Sequence, residues 1–193
     1  MRLILCDRKI ELCNLWTELF RAETDVEIVN ASFETLNDYD CIVSPANSFG
    51  LMDGGFDAAL IRYFGAGLMH NVQQYILREY AGEQPVGTSF VIETGHSEHK
   101  YLAHTPTMRV PKVIANTDVV YNSMRAMLLA VQKYHVIKTV LCPGLGTATG
   151  KVPLSQAARQ MYLAYQSLKN PPNGLNWSLA QKIEAQVKAT LTR

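Results

Sequence analysis

Asp40 to Gly65 reads D-C-I-V-S-P-A-N-S-F-G-L-M-D-G-G-F-D-A-A-L-I-R-Y-F-G. Cys41 to Val43 is a short apolar run of the length and type of a buried strand. Pro45 breaks it, and a polar, glycine-containing segment follows from Asn47 to Gly55. Phe56, Leu60, Ile61 and Phe64 then recur at three- to four-residue spacing, which predicts a helix over 56–64. A strand, a glycine-containing loop and a helix start together offer backbone N–H groups to an anion. The loop also holds the carboxamide of Asn47 and the carboxylates of Asp53 and Asp57. A strand-to-helix connection needs only a few residues, so this loop is longer than folding demands. The excess points to function.

On the N-terminal side, Leu3 to Cys6 reads as a first strand and Asp7 as the cap of a helix running to about Arg21. Ile10, Cys13, Leu15, Trp16, Leu19 and Phe20 form its apolar stripe. Val26 to Val29 reads as a second strand, ending in the polar step Asn30-Ala31-Ser32. On the C-terminal side, 67–80 reads as a helix, 87–94 as a strand, 95–100 as a turn and 101–105 as its return strand. A helix capped by Asn116 or Asp118 runs to Tyr134, and Ile137 to Cys142 is a β-rich strand. Helix pattern resumes from Ser155 to Leu168, Pro171-Pro172-Asn173-Gly174 breaks it, and a last helix spans Trp177 to Leu191. That helix is expected to pack through Trp177, Leu179, Ile183 and Val187. The expected organisation is one domain over 1–170 carrying a helical extension, 171–193, packed on it.

Strands alternating with helices predict an α/β protein with a mixed or mostly parallel sheet covered on both faces. Ligands of such sheets sit beyond the carboxyl ends of the strands. A second glycine-rich loop, P-G-L-G-T-A-T-G-K-V-P, follows Cys142. If the strands ending at Val43 and Cys142 are neighbours, the two loops form one cleft. Gly144, Gly146 and Gly150, with Thr147 and Thr149, suit a turn whose amides approach phosphate oxygens. The same glycines also suit a strand-to-helix turn with no ligand. No G-K-[ST] closes the loop, so it is not a P-loop.

Composition sets the remaining bounds. At 193 residues, 48% hydrophobic and 18% charged, the chain has material for one substantial core. A net charge of +1 gives no field favouring nucleic acid or anionic membrane as partner. No apolar run reaches membrane-spanning length. Cys6, Cys13, Cys41 and Cys142 lack metal or redox spacing and read as buried free thiols of a cytoplasmic protein. His96, His99 and His104 lie about a turn with no accompanying carboxylate–cysteine set, so no metal and no cofactor is expected.

The two loops together resemble the macro domain, the ADP-ribose-binding fold, over about Leu3 to Leu168. Pro45-Ala46-Asn47-Ser48 followed by Gly54-Gly55-Phe56-Asp57 resembles the family's N-A-A-N-x…G-G-V-D pattern. Its Asn-to-Asp spacing is similar to that of the MacroD-type ADP-ribosyl hydrolases. Leu145-Gly146-Thr147 and Gly150 resemble the phosphate-binding loop, and Gly87 to Thr105 resembles the G-x-A…T-x-G…V-I-H stretch, with His104 near its histidine. The resemblance implies a three-layer α/β/α sandwich with a mixed sheet. It also implies binding of ADP-ribose or a derivative, and hydrolysis of ADP-ribose from a mono-ADP-ribosylated macromolecule. Asn47 and Asp57 would be the catalytic pair, Asn47 on the distal ribose and Asp57 on the attacking water. Ala46, Gly54, Gly55 and Phe56 would line the ribose and diphosphate, and Gly144, Leu145, Gly146, Thr147, Ala148, Thr149 and Gly150 would wrap the phosphates. Where the family carries an adenine-reading Asp after the second strand, this chain has Asn30-Ala31-Ser32-Phe33, leaving Ser32 or Asn30 to contact the adenine edge, with Phe33 also among the ligand-binding residues.

Other readings of the same residues stay open. Asp57 suits the first turn of a helix as a cap, and Asn47 suits a long turn as a bridge between backbone groups. A non-catalytic reader of ADP-ribose or of another nucleotide metabolite, or an interaction module, would keep the fold and dispense with the chemistry.

Overall fold

The computed structural model describes residues 1–191. The last two residues of the expected C-terminal extension lie outside the described residues. Six strands form one sheet: β1 (Arg2–Cys6), β2 (Val26–Val29), β3 (Cys41–Ser44), β4 (Phe90–Glu93), β5 (Tyr101–His104) and β6 (Thr139–Cys142). Their order is β2-β1-β6-β3-β5-β4. Every pairing is parallel except that of β4 with β5, which is antiparallel. The helices are α1 (Ile10–Leu19), α2 (Gly55–Phe64), α3 (Gly67–Tyr80), α4 (Val119–Gln132), α5 (Leu154–Lys169) and α6 (Trp177–Ala189).

The period of two along each strand divides the core into two apolar layers. Leu3 and Leu5, Cys41 and Val43, and Val140 and Cys142 face one layer, which α1, α4 and α5 complete with Trp16, Met124, Met127 and Met161. Ile4, Ile42 and Leu141 face the other, against Leu60, Leu68, Val72 and Ile76 of α2 and α3. Burial on both faces explains why these strands read as continuous apolar runs. All four cysteines are free and buried. No described helix is long and apolar enough to cross a membrane.

Several local expectations are corrected. Asp7 does not cap α1; Lys9 precedes the helix and no side chain caps it. Ile10 is exposed and Leu12 takes its place in the core. In α6, Val187 is buried, but Trp177 is 83% exposed and does not pack on the body. The signal for the start of α6 is Asn176, whose side chain accepts from the Leu179 N–H at 2.9 Å.

Candidate active site

β3 and β6 are parallel neighbours, with Cys41 opposite Val140 and Ile42 opposite Leu141. The loops leaving their carboxyl ends therefore stand side by side. A cleft of about 500 Å³ opens there. The strand order sets the order of its walls: the turn after β2, the turn after β1, the loop after β6, the loop after β3 and the loop after β5. Of the residues expected at the site, all line this cleft except Leu145. Leu145 is fully buried, and its side chain belongs to the core under the loop.

The β3 loop is organised by Asn47. Its Oδ1 accepts from the N–H groups of Phe49 (3.1 Å) and Leu51 (3.3 Å), and its Nδ2 donates to the Leu51 carbonyl at 2.7 Å. The amide nitrogen keeps a second N–H beyond that bond. Gly50 sits at φ +61°, and a Cβ there would come within 2.7 Å of Val72, so only glycine fits. The loop ends at Gly54 and enters α2 with no side-chain cap.

Asp57 lies in the first turn of α2 but turns inward. It is 8% exposed, and its Oδ1 accepts from the Ser44 hydroxyl at 2.7 Å at the end of β3. Burial pushes its carboxyl up to about 6, and the Ser44 bond pulls it partly back. A helix-capping role is not what this side chain does. The structure gives Asp57 a dry, hydrogen-bonded position on the cleft wall.

The β6 loop is built from close backbone approaches. Gly146 has φ +70°, and a Cβ on Gly150 would sit 2.6 Å from the Gly146 carbonyl and 2.7 Å from Ile114. Ile114 N–H donates to the Gly150 carbonyl at 2.8 Å, and Val152 N–H to that of Gly146 at 3.1 Å. Among the described residues, none of the backbone N–H groups from Leu145 to Gly150 donates to a protein acceptor. In general, a run of free amides in a tight turn has the donors to receive an anion.

Residues outside the expected set also form the walls. Asp7 ties the β1 turn to the β6 loop, accepting from Gly144 N–H at 3.2 Å and from Lys9 N–H at 2.9 Å. Arg8, Lys9, Glu34 and Arg62 line the cleft, as do Thr107, Met108 and Pro111 from the β5 loop. At the β2 turn, Ser32 bonds Glu34, and Phe33 packs against Phe56 with ring centroids 5.2 Å apart. The Asn30 amide is used by the Asp7 carbonyl.

The histidines lie elsewhere. His104 is buried in β5, bonded to Gln84 Oε1 at 2.6 Å, and burial pushes its ring down to about 3. His99 stacks on Tyr39 with centroids 3.8 Å apart and bonds the Tyr39 carbonyl. Among the described residues no three His, Cys, Asp or Glu side chains are placed to hold a metal.

A sequence profile of the Macro domain family matches residues 43–161, the span holding both loops and the helices that follow them. The chain belongs to the macro domain family. A relative from Aquifex aeolicus, named only as an uncharacterized protein, is 36% identical over 139 residues, 71% of this macro domain protein and 78% of the relative. O-acetyl-ADP-ribose deacetylase 1 of Pantoea vagans is 29% identical over 119 residues, 62% of this chain and 68% of that one. Among solved structures, a mutant of the Oceanobacillus iheyensis macrodomain with ADPR superposes with a TM-score of 0.61 at 20% identity. It covers 82% of this macro domain protein and 90% of its own chain. The sheet seen here is thus a macro domain sheet.

Proposed function

We propose that this macro domain binds ADP-ribose and hydrolyses the bond joining it to a modified target. The observation that carries the reading is one juxtaposition. A loop with six consecutive free amides and a buried carboxylate near neutrality stand on adjacent strands of one cleft. The amides suit the diphosphate, whose charge they meet with fixed dipoles. The second Nδ2 hydrogen of Asn47 suits a hydroxyl of the distal ribose. Asp57 then faces the anomeric carbon, takes a proton from the attacking water and stabilises the oxocarbenium-like charge. The new bond runs from water oxygen to the anomeric carbon, and the target oxygen leaves with the electrons of the broken bond. The deacetylase name of the Pantoea vagans relative and the ADPR in the Oceanobacillus iheyensis structure support this assignment. So does the likeness of the first loop to MacroD-type hydrolases.

One observation favours a reader over a hydrolase: three of the Asn47 amide's bonding positions are already taken by its own loop. Calorimetry and turnover separate the two. Wild type should bind ADP-ribose and release it from an ester-linked, mono-ADP-ribosylated protein. Asp57→Ala should bind with little loss and turn over at least ~100-fold more slowly. Binding without release by wild type would leave the reader. Absence of heat with high-micromolar ADP-ribose would remove both.

A further inference from the structure

Two cations reach the cleft from a segment outside both glycine-containing loops. Arg8 and Lys9 lie in the turn between β1 and α1, and both line the cleft. The strand order puts this turn directly beside the β6 loop, with the β3 loop and Asp57 beyond. Lys9 is half-buried, and its ammonium donates to the Thr147 carbonyl of the β6 loop at 3.1 Å. That carbonyl offsets no charge, and two N–H groups of the ammonium remain. Arg8 is exposed, and among the described residues neither side chain is in a salt bridge. Asp7 supplies one negative charge within the turn, but its oxygens already accept from the Lys9 and Gly144 N–H groups. On the other walls, Glu34 accepts from Ser32, Asp57 accepts from Ser44, and Asp53 and Arg62 complete the charged lining. The β1 turn thus brings two positive charges and one negative to the cleft, with Lys9 in contact with the β6 loop, on the side away from Asp57.

We infer that Lys9 and Arg8 bind the diphosphate of the ligand, supplying the full charge that the amide dipoles of the β6 loop lack. The inference rests on the ADP-ribose reading for the identity of the ligand, and on the turn's own geometry for the site. With anionic groups held at the β1 and β6 walls, the far ribose is directed toward Asp57. Lys9 and Arg8 then act as specificity residues: they favour a nucleoside diphosphate over a neutral nucleoside and make affinity depend on ionic strength.

The test uses the full chain, titrated by calorimetry with inorganic diphosphate, ADP-ribose and adenosine at low and high salt. Lys9→Met and Arg8→Gln should each weaken diphosphate and ADP-ribose binding by about tenfold at low salt, less at high salt, with adenosine unchanged. Lys9→Arg should stay within about threefold of wild type because the charge is kept. If Lys9 only props the Thr147 carbonyl, Lys9→Met will weaken all three ligands alike and equally at both salts, which overturns the inference. Unchanged affinities in both neutral variants overturn it too, and leave the ADP-ribose reading intact. Wild type that binds diphosphate in a Lys9-dependent way but rejects ADP-ribose would uphold the cation site and remove the ADP-ribose reading. Wild type that binds neither removes both.

Discussion

Asp57 is an aspartate that the folded state holds closer to protonation than the unfolded chain does. Its carboxyl rises to about 6 on burial, whereas in the unfolded chain it ionises at the ordinary value of about 4. Between those values the native state binds more protons, so this group's contribution to stability falls as pH rises through that window. The displacement corresponds to about 3 kcal/mol, fully lost above about pH 6 and fully recovered below about pH 4. Asp57→Asn keeps an oxygen for Ser44 and removes the buried charge. We expect it to be more stable than wild type by ~2–3 kcal/mol near neutral pH, with the gap closing in acid, in urea unfolding at the two pH values. A variant less stable than wild type at neutral pH would contradict the buried-charge account. The gain in stability with loss of turnover would mark a site held at the expense of the fold. That Asp57 lines the cleft was legible in the sequence through its distance from Asn47 and the glycines before it. Its inward turn was not, because a helix cap and a cleft carboxylate share the same position in a first turn. Asp7 was misplaced for a related reason. An Asp between a strand and a helix suits a cap, and only the approach of the Gly144 amide, 137 residues on, shows where its oxygens go.

At the scale of elements, α5 does more than cover the sheet. Gln156 and Gln160 lie one turn apart on it, both buried. Gln160 accepts from Tyr121 N–H at 2.9 Å and donates to the Thr117 carbonyl at 2.8 Å, holding the entry to α4. Gln156 donates to Asn116 Oδ1 and to the Leu191 carbonyl, so the end of the described chain is tied to the same segment. That segment carries Ile114, the side chain that backs Gly146 and Gly150. Gln160→Leu leaves the buried Tyr121 N–H and the half-buried Thr117 carbonyl without this partner and should destabilise by about 2–4 kcal/mol, read from the midpoint of denaturant unfolding. An unchanged midpoint would mean that the α4 entry finds other partners. The limits of α2, α3 and most strands were legible because their apolar periods are strong. The glutamine ties were not: two polar residues on a helix read as a solvated face until another element packs on them. The exposure of Trp177 misled in the opposite direction, since a large apolar residue at a helix start reads as core, whereas here Val187 alone in α6 is fully buried.

For the whole molecule, the layering was legible because each strand divides its residues between two cores, but the strand order was not. Periodicity says which residues face inward and nothing about which strands are neighbours. The order found makes β6 the joint of the sheet. β1 and β2 form one half, β3, β5 and β4 the other, and β6 alone pairs with both. A chain ending before Thr139 is therefore expected to lack cooperative unfolding and to expose β1 and β3 as open edges. Size exclusion and thermal unfolding of such a truncation would show association and no single transition, whereas a monomer with a sharp transition would refute the joint. The same arrangement dictates a sequence of events during synthesis. Both halves leave the ribosome before the strand that unites them, so each waits with an unpaired parallel edge for a distant partner, the slow and aggregation-exposed kind of closure. The β6 loop follows that strand directly. Nascent chains accordingly acquire the capacity to hold a ligand in the same step that closes the sheet, and a half-made protein has no cleft with which to compete for it.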